Sequence, residues 1–301
     1  MPARHARRSV PHWVKTQIQS YSAHEDDPAY DSDTSSTISA TSTTTHLSDS
    51  AASISSTLTT LSSLPDDPSS EPSLPINRRF RPELIYPSTH FTPRDIEVPR
   101  GRWVYLACPH SRVKCSHCGV HVAHTDAIVI AMDGAYRSNP TNTTGDESGV
   151  SSLAVFAGFG NPYNRAQRIP NLPRNHHNSQ TAQLKACIRA LCQAGLIGED
   201  RALPSARGGS GRDVRLVVVK CDSEFVVRGV TELMAQWKMN GWRNSRGVEV
   251  ANAEDWRVID RLVHSLRVDG IEVRFWLVER RMNGQARGMA RNLVREGVVE
   301  C

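Results

Sequence analysis

The chain has 301 residues, a formal net charge of +5 and seven Cys. No apolar run reaches the roughly 20 residues of a membrane-spanning helix and no signal-peptide pattern is present, which argues against membrane and secreted proteins. An odd, unevenly spaced set of Cys argues against a disulfide framework, so we expect an intracellular protein, in the nucleus or cytoplasm rather than the mitochondrion.

The first 77 residues differ in composition from the rest of the chain. Residues 1–77 are mostly Ser, Thr, Asp and Pro, and their apolar residues are isolated. Such a segment buries too little surface to offset its chain entropy, which predicts a disordered tail. This tail carries a net charge of −5, which leaves +10 for residues 78–301. A basic folded part favours a polyanion such as nucleic acid as partner, although ordinary solvated charge also gives an excess of this size.

Residues 78–125 form a lead-in to the main domain. Its aromatic and aliphatic residues can pack, but Pro82, Pro87, Pro93 and Pro99 exclude a long helix. We expect the lead-in to wrap over the following domain as extended chain.

The lead-in ends in a Cys- and His-rich stretch, CPHSRVKCSHCGVHVAH. Cys115 and Cys118, followed by His121 and His124, could together hold a tetrahedral Zn²⁺. The step from Cys118 to His121 is too short for a ββα zinc finger. The alternative is a short extended segment that binds no metal.

Residues 126–299 alternate short apolar runs with amphipathic segments, which predicts an α/β layered domain with a mixed sheet. The apolar run Ala127–Met132 predicts a buried strand that ends at Asp133. The predicted helix Ser179–Ala194 stops at Gly195, and residues 197–213 are expected to be a surface loop. The remaining elements are strands over 151–158, 216–220 and 271–278, a helix that Ser223 caps, and helices over 231–239, 254–268 and 284–294.

Several segments of this domain, in order, resemble those of the ribonuclease H type 1 family. They are MDGA at Asp133, NSQTAQLKA from Asn178, KCDSEFVVRGVTELMAQWKMNGW around Asp222, WRNSRGVEVANAEDW from Trp242, and FWLVERRMNGQARGMAR around Arg287. The resemblance implies a ribonuclease H-like mixed five-stranded sheet flanked by helices.

The resemblance also implies a catalytic site of four carboxylates that hold two Mg²⁺ or Mn²⁺ ions about 4 Å apart. Asp133 and Asp222 fall on two of these acids and would be the metal ligands. The third and fourth acids fall on Gln183 and Arg287, so a neutral amide and a cation replace two carboxylates. These replacements predict impaired catalysis, because a guanidinium stays protonated.

The family's contacts to the sugar–phosphate backbone fall on Asn139, Asn178, Ser179 and Gln180. Asn and Ser also cap helices and form turns, and that role is equally open here. In the basic protrusion, or handle, Lys238, Trp242, Arg243 and Arg246 are the candidate nucleic-acid contacts. The spacing of Trp237, Trp242 and Trp256 favours packing of the handle helices over base stacking.

Two functions fit this sequence. The first is an endoribonuclease that cuts the RNA strand of RNA–DNA hybrids by two-metal hydrolysis, catalytically impaired here. The second is a non-catalytic module that binds hybrids or double-stranded RNA, or that binds another protein. The leading partner is an RNA–DNA hybrid or another nucleic acid, no membrane partner is expected, and the oligomeric state stays open, with a monomer favoured.

Overall fold

The computed structural model describes residues 78–138, 149–171, 177–202 and 213–295. The predicted disordered tail, residues 1–77, lies outside these ranges. None of the helices in the described ranges is long and apolar enough to cross a bilayer.

The described residues form a seven-stranded mixed sheet with helices packed against it. The strands are β1 (Glu97–Arg100), β2 (Trp103–Ala107), β3 (Ala123–Arg137), β4 (Val150–Phe156), β5 (Arg165–Arg168), β6 (Leu216–Cys221) and β7 (Glu272–Leu277). The α-helices are α1 (Ser179–Ala202), α2 (Glu224–Arg228), α3 (Met234–Met239), α4 (Ala253–Val268) and α5 (Gly284–Arg295). A π-helical turn (Gly229–Leu233) joins α2 to α3, and 3₁₀ turns cover Pro82–Leu84 and Arg280–Asn283.

The central strand of the sheet is β3. Its first part pairs antiparallel with β2 and its second part antiparallel with β4, while β6 runs parallel along its other side. Strand β7 continues the sheet parallel to β6, and β5 pairs antiparallel with β4. The predicted end of this strand at Asp133 is wrong, because Asp133 pairs with Ala154 of β4 and the ladder runs on to Arg137.

Successive side chains of β3 face two different apolar clusters, as the two-residue period of a strand requires. Ile128, Ile130 and Met132 belong to the cluster that includes Leu184 of α1. Val129 and Ala131 belong to the cluster that includes Ala286 of α5, so α1 and α5 lie on opposite faces of the sheet. Both faces of β3 are therefore covered, in agreement with its continuous apolar sequence.

The lead-in is not simply extended chain over the domain, because β1 and β2 add two strands to the five of the domain. Tyr105 of β2 pairs with Ile128 of β3. Lys220 of β6 is buried and its ammonium bonds Glu97 of β1 at 2.6 Å and 2.8 Å. Phe80 is also buried, against Trp276. The lead-in thus forms part of the core.

Helix α1 runs eight residues past the sequence-predicted end at Ala194, to Ala202. A Gly in a helix interior costs about 1 kcal/mol relative to Ala, which is why Gly195 predicts a stop. Ile197 is fully buried, and burial of an Ile side chain contributes about 1.5–3 kcal/mol. The tertiary contact outweighs the local penalty, so part of the predicted loop at 197–213 is helix.

The handle consists of α3, the loop after it and the start of α4. Trp256 is fully buried and packs against Trp237, with ring centroids 5.2 Å apart. A Cβ on Gly229 in the π turn would lie 2.1 Å from the Trp256 ring, so only glycine allows this approach. The prediction that these Trp residues pack the handle helices is confirmed for Trp237 and Trp256.

Candidate functional site

Asp133 is buried in β3, with 5% of its surface exposed, where the first turn of α1 crosses the strand. The crossing is close because the next residue is Gly134: an added Cβ would lie 2.3 Å from the carbonyl carbon of Ala182. The MDGA sequence therefore does more than form a turn. It lets the backbone of α1 touch the strand and so brings Gln183 over Asp133.

Gln183 holds Asp133 through its side-chain amide. Its Nε2 donates to Asp133 Oδ1 at 2.7 Å and to the Gly134 carbonyl oxygen at 2.9 Å. An ionised carboxylate only accepts hydrogen bonds, which fixes the direction of this bond and the orientation of the amide. One oxygen of Asp133 is thus already occupied by a neutral donor.

Asp222 follows β6, the parallel neighbour of β3, and it has an amide partner of the same kind. Asn283, in the 3₁₀ turn before α5, donates Nδ2 to Asp222 Oδ1 at 2.9 Å and to the Met132 carbonyl oxygen at 2.9 Å. This Asn links the interior of β3 to the residue that follows β6. Asn283 is not among the predicted site residues, although its place just before the last helix of the matched closing segment is a signal for it.

Two arginines lie beside the carboxylates. Arg287 on α5 is half-buried and close enough to Asp133 to lower its pKa. Arg280 Nε lies 3.9 Å from Asp222 Oδ2, with the arginine side chain 76% exposed and the carboxylate 9% exposed. With both carboxylates ionised, the formal charge of this group is close to zero.

Burial raises the pKa of Asp133 to about 6, because it disfavours the charged form. The amide of Gln183 opposes this rise, the nearby Asp222 adds to it, and Arg287 opposes it. Asp133 therefore titrates well above an ordinary aspartate, and it is mainly ionised above pH 6.

The four residues on which the resemblance places the catalytic acids, Asp133, Asp222, Gln183 and Arg287, thus lie in one group. They do not fit two dications, because two carboxylates remain and each gives one oxygen to an amide donor. The amide oxygen of Gln183 is buried without a hydrogen-bond partner, so it could accept, but a neutral oxygen does not replace a lost negative charge.

Two further acids could have replaced the missing ones, but they lie at the exposed rim. The side chain of Glu224 is 68% exposed and lies 3.8 Å from Arg228. The side chain of Glu279 is 67% exposed and bonds Arg281 at 2.6 Å. Both therefore have cationic partners of their own outside the buried carboxylate pair.

The predicted backbone contacts at the start of α1 are exposed. Ser179 and Gln180 lie on the first turn of α1, next to the turn that carries Gln183. Asn178 caps the helix, since its Oδ1 accepts the Thr181 N–H at 2.8 Å, which was the alternative role left open by the sequence. Asn139 lies outside the described residues.

The handle candidates have different environments. Lys238 pairs with Asp260 at 2.8 Å, which offsets its charge. The guanidinium of Arg257 covers one face of the half-buried Trp242 ring, 5.5 Å from its centroid. Arg243 and Arg246 are exposed, and their side chains have no carboxylate partner among the described residues.

The candidate zinc residues are not assembled into a site. Among the described residues, no three His, Cys, Asp or Glu side chains converge to hold a metal ion. Cys115 and Cys118 are exposed on one turn, where N–H groups of Cys118 and His117 lower the pKa of the Cys115 thiol. His121 is buried, stacked on Phe91, and its ring nitrogens contact Ser111 Oγ and the His90 carbonyl oxygen, each at 3.2 Å. His121 therefore packs in the core in this structure, and a zinc site at Cys115, Cys118, His121 and His124 stays a prediction.

The strand order and the paired carboxylates define a class of protein. The ribonuclease H-like fold is an antiparallel β3–β4–β5 meander joined through β3 to parallel β6 and β7, here with one carboxylate on β3 and one just after β6. A family model described as RNase H matches residues 125–274. The chain belongs to the ribonuclease H type 1 family.

Curated relatives show the same similarity. Ribonuclease H1 of Homo sapiens is 29% identical over 167 residues, which cover 56% of this chain and 48% of the human protein. Ribonuclease H1 of Rattus norvegicus is 27% identical over 148 residues, covering 49% of this chain and 44% of the rat protein. The chain therefore spans about half the length of these relatives. Among solved structures, LC11-RNase H1 in complex with RNA/DNA hybrid aligns with a TM-score of 0.35 at 19% identity, covering 56% of this chain and 98% of that one.

Proposed function

We propose that the ribonuclease H domain of this chain binds RNA–DNA hybrids and hydrolyses their RNA strand far more slowly than a four-carboxylate site would. The substrate class is supported by the similarity to the ribonuclease H1 proteins. The net charge of +10 on residues 78–301 is consistent with a polyanionic partner.

The observation that carries the weak hydrolysis is the environment of Asp133. A metal-binding carboxylate must direct its oxygens at the metal, but here Gln183 Nε2 occupies Asp133 Oδ1 at 2.7 Å. Arg287 adds a fixed positive charge to the same carboxylate. A guanidinium roughly 6 Å from a dication would repel it by about 5 kcal/mol at an effective dielectric constant of about 20.

The proposed binding surface lies beside this group. The exposed Ser179 and Gln180 at the start of α1 can donate to and accept from sugar and phosphate groups. A 2′-hydroxyl is both donor and acceptor, and contacts to it distinguish RNA from DNA. The exposed Arg243 and Arg246 of the handle supply phosphate-facing charge.

Cleavage of a labelled RNA–DNA hybrid in Mg²⁺ and in Mn²⁺ tests the catalytic part of the proposal. We expect the natural chain to give little or no product. The matched variant is Asp133→Asn, which removes the charge of the central carboxylate. Strong cutting by the natural chain that disappears in Asp133→Asn would contradict the proposal.

A repair experiment tests the assignment of the site. The double substitution Gln183→Glu with Arg287→Asp restores four carboxylates and should raise the cleavage rate by at least about tenfold, or about 1.4 kcal/mol of barrier. No gain in either cleavage or metal affinity would show that these residues do not form the site. Hybrid binding is measured separately by fluorescence anisotropy, and an affinity that does not fall with rising salt would contradict the binding part.

A further inference from the structure

Helix α5 carries three arginines at a spacing of four residues, Arg287, Arg291 and Arg295. Residues four apart are neighbours on one helix face, and each step advances about 6 Å along the axis. Arg291 and Arg295 are exposed and Arg287 is half-buried. The helix Gly284–Arg295 contains no Asp or Glu, so these cations form a continuous row, called here the α5 arginine row.

Among the elements packed against α5, strand β3 carries two acids, Asp126 and Asp133, and Asp133 offsets part of the charge of Arg287. Strands β4 and β5, which contact α5, contain no Asp or Glu. Strand β5 instead contributes the exposed Arg168, whose Nε donates to the Leu293 carbonyl oxygen at 3.1 Å. Within the described ranges, none of the three α5 arginines has a carboxylate oxygen within 4.0 Å.

The row begins near the carboxylate group, because Arg287 has no carboxylate of the described residues within 4.0 Å but is close enough to lower the pKa of Asp133. A pair of bare carboxylates repels a phosphodiester, and bound dications normally remove that repulsion. Here Arg287 and Arg280 supply the compensating charge permanently. A nucleic-acid backbone can therefore lie across the carboxylates and continue along α5 without a divalent ion.

We propose that the α5 arginine row is a binding site for the phosphate backbone of a duplex nucleic acid and that it works without divalent metal. This inference rests on the proposed binding of hybrids and adds both a surface and an independence from metal. A planar guanidinium recognises phosphate oxygens bidentately. The exposed side of α5 presents no large apolar side chain, which disfavours an anionic membrane as the partner.

Binding of a fluorescent RNA–DNA hybrid to the full chain tests the inference, with Kd measured against salt in chelator and in Mg²⁺ at equal ionic strength. We expect the natural chain to bind equally well, within about twofold, in both buffers. The double variant Arg291→Gln with Arg295→Gln should weaken binding at least about tenfold and reduce the slope of log affinity against log salt by about 1.8, or 0.9 per lost phosphate contact. The variant Arg287→Asp should bind poorly in chelator and recover with Mg²⁺.

The matched control is Arg94→Gln with Arg112→Gln, which removes the same charge from two exposed positions of the lead-in. If this control weakens binding as much as the α5 double variant, only net charge matters and the inference is overturned. Binding of the natural chain only with Mg²⁺ overturns the inference but leaves the proposed function intact, whereas no hybrid binding in any buffer overturns both. If replacing Arg291 and Arg295 weakens binding to vesicles of anionic phospholipid as much as it weakens binding to the hybrid, the assignment to nucleic acid is overturned.

Discussion

Replacing Asp133 with Asn should stabilise the protein at neutral pH, because the natural carboxylate is charged in a buried position. The folded state raises the pKa of Asp133 from 3.8 to about 6, with burial as the largest cause. Each unit of difference corresponds to about 1.4 kcal/mol, so the folded state pays about 3 kcal/mol to ionise this group. The Asn side chain keeps the acceptor for Gln183 and carries no charge.

The dependence on pH follows from the protons bound in each state. Between pH 4 and pH 6 the folded natural chain keeps a proton on Asp133 that the unfolded chain has released, so this group makes stability fall as pH rises. The Asn variant has no such proton. The free energy of unfolding of the variant, minus that of the natural chain, should therefore grow by about 2.4 kcal/mol from pH 4 to pH 8.

Urea denaturation in chelator at several pH values measures this difference, since the other titrating groups are common to both proteins. Asp95→Asn is a control that should change stability in the opposite direction, because the ammonium of Lys114 lowers the pKa of Asp95 to about 2. That variant should be less stable than the natural chain at neutral pH. A difference between the Asp133→Asn variant and the natural chain that stays constant from pH 4 to pH 8 would refute the desolvation of Asp133.

Two further predictions concern the contacts that place the site. Gly134→Ala should lower the free energy of unfolding by at least about 2 kcal/mol, because its Cβ would lie 2.3 Å from a backbone atom of Ala182. In the same denaturation assay the control Gly288→Ala, whose Cβ would meet nothing within 4 Å, should raise the free energy of unfolding by about 0.5–1 kcal/mol. Equal effects of the two substitutions would contradict the close approach at Gly134. Glu97→Gln leaves the buried ammonium of Lys220 without its counter-ion and should lower the free energy of unfolding by about 3 kcal/mol. In a double-mutant cycle, adding Lys220→Met to Glu97→Gln should recover most of this loss of stability. Additive effects of the two substitutions would show that the pair is not coupled.

The sequence by itself determined most elements of the domain and the two acids, although the polar strand β5 (RAQR) had no apolar run to predict it. The β-branched run before Asp133 predicts a buried strand, and Ser223 after β6 predicts the cap that the structure shows, where Ser223 Oγ accepts from Val226 N–H. These features are local, since periodicity and capping depend on residues within a few positions of each other. The ordered family segments then placed Asp133 and Asp222 in one fold.

Only the tertiary structure decided how the lead-in is used. β2 pairs with β3, Glu97 of β1 bonds the buried Lys220, and Phe80 packs on Trp276; such long-range contacts have no local signal. The same holds for His121, which packs on Phe91, 30 positions earlier in the chain.

For the chemistry of the site, the sequence likewise determined one part and the tertiary structure the other. The replacement of two acids by Gln183 and Arg287 is visible in the sequence, but the direction of the Gln183 amide and the pairing of Asn283 with Asp222 are not. These bonds depend on the close approach of α1 and α5 to opposite faces of β3. The orientation of a side chain inside a packed site is set by surfaces that meet only after folding. The residue types therefore predicted which groups assemble, and the packing decided what each group contacts.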